Sequence, residues 1–168
     1  MHTGTVAFFA LALFAVHEFE EIVRVVPWIR RHANDPRLAR DTWIRRRDAY
    51  PSTEVVAAEI GEEIVLVSLI MGLGIAADAP VVALAVASVN SLHLAGHLLL
   101  ALRVRVWNPG SITAALTLPP NITLVASGLA RGTDGATLAA AVVLLGVVLV
   151  ANLLAMHRLA PAIHSSVG

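Results

Sequence analysis

From Val55 to Met156 the chain is almost unbroken apolar sequence, and that run restricts the folds open to it. Breaks at Asp78 and Pro80, at Arg103 to Gly110 and at Arg131 divide it into pieces of roughly 20 residues, the length that carries a helix across a bilayer. A further apolar run precedes them, before a charged segment. The sequence therefore predicts an all-α integral membrane protein, a bundle of about five transmembrane helices forming one domain over 1–168. The expected spans are 6–26, 55–77, 81–102, 111–130 and 137–156, with a short basic interfacial segment between the first and second. Composition agrees: 57% of residues are apolar and 14% charged, where soluble domains carry about 25% charge. The chain has no cysteine, so disulfides, thiolate catalysis and zinc–sulfur sites are excluded. A net charge of zero argues against a nucleic-acid partner. The N-terminal run lacks the basic flank and small-residue cleavage site of a signal peptide.

Orientation follows from arginine, since the chain has no lysine. With five spans, every one of the 12 arginines except Arg131 falls on the side of the first loop, the third loop and the C-terminus. Basic residues in short loops favour the cytoplasm. The expectation is a plasma-membrane protein with its N-terminus outside and its C-terminus and basic loop 27–54 cytoplasmic. Within that loop Pro36 could open a short helix, with Trp43 and Tyr50 at headgroup depth.

The spans are not clean. His17, Glu18, Glu20 and Glu21 interrupt the first, and ionisable groups inside a bilayer cost at least about 2.5–3.5 kcal/mol each on insertion scales, which makes them functional candidates. His17, Glu20 and Glu21 are spaced i, i+3, i+4 and share a helix face. Glu59, Glu62 and Glu63 repeat that spacing in the second span, and Asn90, His93 and His97 share a face of the third. Thr113, Thr117 and Asn121 follow in the fourth, which Pro119-Pro120 is expected to break. The fifth offers Asn152 and His157, while Glu18 points elsewhere. At about 1.5 Å rise per residue the first three stripes fall at similar depth in the cytoplasmic half, which implies one shared polar cavity.

That cavity is rich in carboxylate and imidazole, and unpartnered carboxylates in low dielectric take up protons or attract metal. The expected divalent-metal ligands are His17, Glu20, Glu62, Glu63, His93 and His97. Imidazole with carboxylate suits zinc, iron or manganese, with zinc and iron the suspects here. Glu21 and Glu59 are candidate general bases, and Asn90 and Asn121 further catalytic candidates. The leading expectation is a metal-dependent hydrolase or oxidoreductase acting on a lipid-like or apolar molecule that arrives from the bilayer. Two alternatives stand beside it: a metal-free acid/base isomerase or cyclase, and a small proton- or cation-coupled transporter. No internal inverted repeat supports the transporter.

The stretch His17-Glu18-Phe19-Glu20-Glu21 resembles the signature of the HXXEE-motif family of small multi-pass bacterial membrane proteins, and Asn90-x-x-His93-x-x-x-His97 with Pro120-Asn121 is similar to the later part of that pattern. The resemblance implies a multi-pass membrane protein of uncharacterised function, and no substrate. Intramembrane CAAX-type proteases offer a poorer match. Their Glu-Glu-x-x-x-Arg spacing fails here because Arg24 comes one residue early, and His93 and His97 share one helix.

Overall fold

The structure is a computed structural model that describes residues 2–50 and 52–167, with the side chains of Thr42 and of 160–167 outside that description. Among the described residues there are six α-helices and no strand. They are α1 (Thr3–His32), a four-residue α2 (Thr42–Arg45), α3 (Thr53–Ala76), α4 (Pro80–Val104), α5 (Ser111–Ala130) and α6 (Gly135–Val167). Two short 3-10 turns, Pro36–Leu38 and Arg47–Ala49, flank α2. The all-α class expected from the sequence is therefore what the chain adopts.

Five spans are expected, whereas three helices, α4, α5 and α6 as far as Leu159, are long and apolar enough to cross a membrane by composition. The difference has a simple cause: α1 and α3 carry the carboxylate stripes within their length. A second expectation is corrected outright. Pro119 and Pro120 do not break α5, which runs through them as one α-helix of 20 residues. Proline removes two backbone donors there, and Thr123 Oγ1 donates to the Pro119 carbonyl at 2.9 Å.

Helix α4 is the hub of the bundle and packs on α1, α3, α5 and α6. Its contact with α5 is close. A Cβ on Gly128 would lie 2.3 Å from Leu84 Cδ1, so glycine is what lets the two helices approach. Short connections join α3 to α4, α4 to α5 and α5 to α6, and residues in the left-handed region stand in them: Asp78 after α3, Arg105 after α4, Gly110 before α5 and Gly132 after α5.

Apolar side chains gather in two clusters. One joins Val6, Ala10 and Phe14 of α1 to Met71 of α3, Leu84 of α4 and Leu145 of α6. The other joins Val25, Trp28 and Ile29 to Leu38, Ile44 and Tyr50 of the interhelical segment and to Val55 and Val56 of α3. That segment thus folds down over the ends of α1 and α3. Tyr50 is 2% exposed and buried within this second cluster. Between the two apolar clusters, at the level of residues 17–21 of α1, lies the polar layer.

Candidate metal centre

Two pairs of side chains, each four residues apart, meet in that layer. His17 and Glu21 come from α1, His93 and His97 from α4, and one ligand atom from each lies within 4.8 Å of every other. The i, i+4 spacing stacks both members of a pair on one helix face. The imidazoles stand edge-on: ring centroids are 5.0 Å apart for His17 and His93, 4.9 Å for His17 and His97, and 4.5 Å for His93 and His97. His97 Nε2 is 3.0 Å from His93 Nε2 and 3.2 Å from Glu21 Oε1. Two Nε2 atoms that close must share a proton or face a cation, because two lone pairs would repel. His17 is fully buried and Glu21 nearly so. His17 Nε2 and Glu21 Oε1 are both buried and lack a hydrogen-bond partner.

The orientation of His17 can be followed outward from the ring. Thr113 Oγ1 lies 2.6 Å from Glu20 Oε2 and 3.1 Å from His17 Nδ1. A hydroxyl has one proton, and the short contact to the carboxylate claims it. Thr113 therefore accepts from His17 Nδ1–H, which leaves the Nε2 lone pair facing His93, His97 and Glu21. The same Glu20 oxygen accepts from the Thr113 backbone N–H at 2.7 Å, and Oε1 accepts from Arg24 at 2.8 Å. Glu20 thus reaches His17 only through Thr113, and a hydrogen bond on the second nitrogen of a histidine is the usual outer support of a metal site.

Gly110 closes the centre on the α5 side. Its φ is +83°, and a Cβ there would lie 2.6 Å from His17 Cε1 and 3.0 Å from His97 Nδ1. Both the backbone conformation and the space call for glycine.

The remaining expected ligands sit elsewhere. Glu20 supports His17 from outside the cluster, with both oxygens engaged. Glu62 accepts from Asn152 of α6 at 2.7 Å. Glu59 and Glu63 line an adjoining cavity, as does Asn90. Asn121 is fully buried within α5, donates to the Thr117 carbonyl at 3.0 Å, and does not line that cavity. Sequence reasoning passed over Glu18, which also lines the cavity, and gave no role to Gly110 or Thr113.

The cavity has a volume of about 530 Å³ and lies among α1, α3, α4 and α6. His93 and His97 stand at its edge and also line a second recess of about 290 Å³, together with Asp41 and Asn108. Trp43 of α2 and His157 of α6 border the larger cavity too, so it lies at the end of the bundle that carries the arginine-rich segment. Asp41 belongs to that segment. Burial pushes its carboxyl above the usual range, opposed by hydrogen bonds from the Ile44 and Trp43 backbone.

No curated protein and no solved structure matches the chain. A family model does, the one described as a protein of unknown function with an HXXEE motif, and the match covers residues 8–125. That stretch contains His17, Glu20, Glu21, His93, His97 and Thr113, and the chain belongs to the HXXEE-motif family.

Proposed function

We propose that this chain is a membrane-embedded, metal-dependent enzyme whose divalent ion is held by His17, Glu21, His93 and His97. Its substrate would be a lipid-like molecule lying in the adjoining cavity. The convergence of four ligand atoms within 4.8 Å carries the reading, and one of the four residues, His17, has a buried Nε2 without a hydrogen-bond partner. Unsatisfied buried nitrogen and oxygen atoms are costly, and an ion at their centre satisfies all of them at once. On this reading the two glutamates of the motif divide the work. Glu21 faces the ion, and Glu20 fixes His17 through Thr113.

Three imidazoles and one carboxylate suit zinc, iron or manganese. A tetrahedral zinc would be closed by four protein ligands unless it expanded to five. A six-coordinate ion keeps two positions for water and substrate. His93, exposed toward the cavity and the recess, marks the side from which substrate would approach. A Lewis-acidic ion there would activate water for hydrolysis, whereas iron would support oxidation.

We also propose that α1 and α3 cross the bilayer with the other three long helices, with the arginine-rich segment cytoplasmic. Phe8, Phe19 and Val23 of α1, and Leu69 and Leu73 of α3, present large exposed apolar side chains, as the outer faces of α4–α6 do. The carboxylates of their polar stripes are buried or half-buried. Since the chain has no cysteine, Arg40→Cys and Thr133→Cys give two single labels. An impermeant maleimide should reach position 133 from outside intact cells and position 40 only after lysis.

Metal analysis of protein purified without chelator tests the centre: about one ion per chain is expected, and none in His93→Ala. A metal-free wild type would leave the second reading, a proton shuttle. The His93–His97 Nε2 separation of 3.0 Å favours that one, and its activity would survive strong chelators.

A further inference from the structure

We propose that the cavity beside the metal centre takes a single-chain amphiphile with a cationic amine head. This deepens the reading of the cavity as a substrate site and rests on it. Most of the wall is apolar, from Phe14 of α1 and Val67 of α3 to Leu149 of α6. The polar part carries four carboxylates, Glu18, Glu21, Glu59 and Glu63, beside the imidazoles of His93, His97 and His157, and no arginine lines it among the described residues. Glu21 belongs to the metal centre, and Glu59 meets His157 Nδ1 at 3.2 Å. Glu18 and Glu63 line the cavity with neither hydrogen bond nor ion pair among the described residues.

Asn90 is the independent observation. It lines the same cavity and is 4% exposed, yet neither its amide nitrogen nor its oxygen has a hydrogen-bond partner. A buried amide with both ends unsatisfied is costly unless a ligand supplies the missing partner. An ammonium group would donate to Asn90 Oδ1 and to the carboxylates together, with three N–H groups to distribute.

A second metal ion fits less well. Among the described residues the one gathering of three or more ligating side chains is His17, Glu21, His93 and His97. Glu18 and Glu63 stand outside it, as the carboxylates around an extended organic head would.

The mouth fits an amphiphile as well. Leu92 of α4 and Val150 and Leu153 of α6 line the cavity and are also exposed on the outer surface, at 68%, 56% and 39%. The opening between α4 and α6 is therefore greasy, on the face that would meet lipid tails. The volume of about 530 Å³ lies within the roughly 300–1,000 Å³ typical of small-molecule sites.

Three probes with one tail test the head: dodecylamine, dodecanol and dodecanoic acid, added to the metal-loaded full chain in maltoside micelles and followed by saturable binding. Dodecylamine should bind at least about tenfold tighter than the other two, about 1.4 kcal/mol. Equal binding of amine and alcohol by the wild type overturns the proposal without any variant. Glu18→Gln with Glu63→Gln should abolish the preference for amine while the metal content stays at the wild-type level, and a preference that survives in this variant also overturns it. Gly146 lines the cavity with open space beyond its Cα, so Gly146→Phe should fill it and weaken all three probes. Unchanged binding there would mean the probes sit elsewhere. His93→Ala separates the two readings, since it should lose the metal and keep the amine preference.

Discussion

Two histidine–glutamate pairs stand on the wall of one cavity, each with nitrogen and oxygen 3.2 Å apart, and their surroundings differ in kind. His157 of α6 meets Glu59 of α3, and the same Nδ1 lies against the Tyr50 hydroxyl. Arg46 donates to the His157 carbonyl at 2.6 Å, and the Trp43 and Tyr50 rings stand edge-on beside the imidazole. That pair is a latch, fastening α6 to the interhelical segment by ordinary hydrogen bonds. His97 and Glu21 have no such company. Their neighbours are two more imidazoles, with one ligand atom of each residue within 4.8 Å of the others and His17 Nε2 buried without a hydrogen-bond partner. On the proposed reading, the same two residue types serve structure in one place and hold an ion in the other. Glu59 Oε1 is also buried without a hydrogen-bond partner, so what separates the two pairs is the convergence of two further imidazoles on His97 and Glu21.

The largest expected effect separates the two directly. His17→Ala removes a fully buried member of the proposed ligand set, and metal content should fall from about one ion per chain to a tenth of that or less. His157→Phe should leave the metal in place. If the second variant lost the metal and the first kept it, the roles assigned to the two pairs would be reversed. A weaker break tests the outer support. Thr113→Val keeps the shape but removes the hydroxyl between Glu20 and His17. Losing such a partner lowers metal affinity about 10–100-fold, so a competition titration with a chromogenic chelator should shift by that factor. An unchanged affinity would mean that His17 is oriented by packing alone.

The comparison also shows what could be read without coordinates. Helix positions were legible, because apolar runs of spanning length and polar residues at i, i+3, i+4 leave few other folds. The polar layer was legible too, since three helices bring His or Glu to one level. The assignment of Glu20 and Glu21 was not. At about 100° per residue the two carboxylates straddle His17, one some 60° to one side and the other some 40° to the other. Periodicity alone gives both the same standing. The neighbours decide: α5 presents Thr113 to Glu20, and α4 presents His97 to Glu21. Glu62 is diverted by Asn152, more than 80 residues along the chain, and no local pattern announces that pairing. Thr113 gave a faint signal as the first residue of the Thr113, Thr117, Asn121 stripe. Gly110 gave one in its Asn-Pro-Gly turn, but the need for a missing Cβ beside His17 is visible only in the packing.

If the His157 cluster is a latch, weakening it should loosen the fold and spare the ion. Tyr50→Phe removes one buried hydroxyl and keeps the ring. The expected loss is about 1 kcal/mol, read as a lower melting temperature in detergent and faster tryptic cleavage within Arg45-Arg46-Arg47. Metal stoichiometry should not change. A fall in metal content would tie the latch to the centre and erase the contrast between them.

The smallest effect concerns Asp41, which borders the recess behind His93 and His97 and belongs to the same segment as the latch. Burial raises its pKa, against opposing hydrogen bonds from the Ile44 and Trp43 N–H groups, and Oδ1 accepts from Ile44 at 3.2 Å. A carboxyl whose folded-state pKa lies above its unfolded value is best accommodated when protonated. Its cost is therefore absent below about pH 4 and develops as pH rises through the folded-state value. Asp41→Asn keeps an acceptor for Ile44 and removes the charge. It should melt with the wild type near pH 4 and higher by about 2 °C or less at pH 7.5. The reverse result, a variant less stable at pH 7.5 whose deficit vanishes in acid, would mean that the ionised Asp41 is stabilised by positive charge across the recess. With His93 and His97 lining the same recess, that charge would be the bound ion, and the recess would then belong with the metal centre and not with the latch.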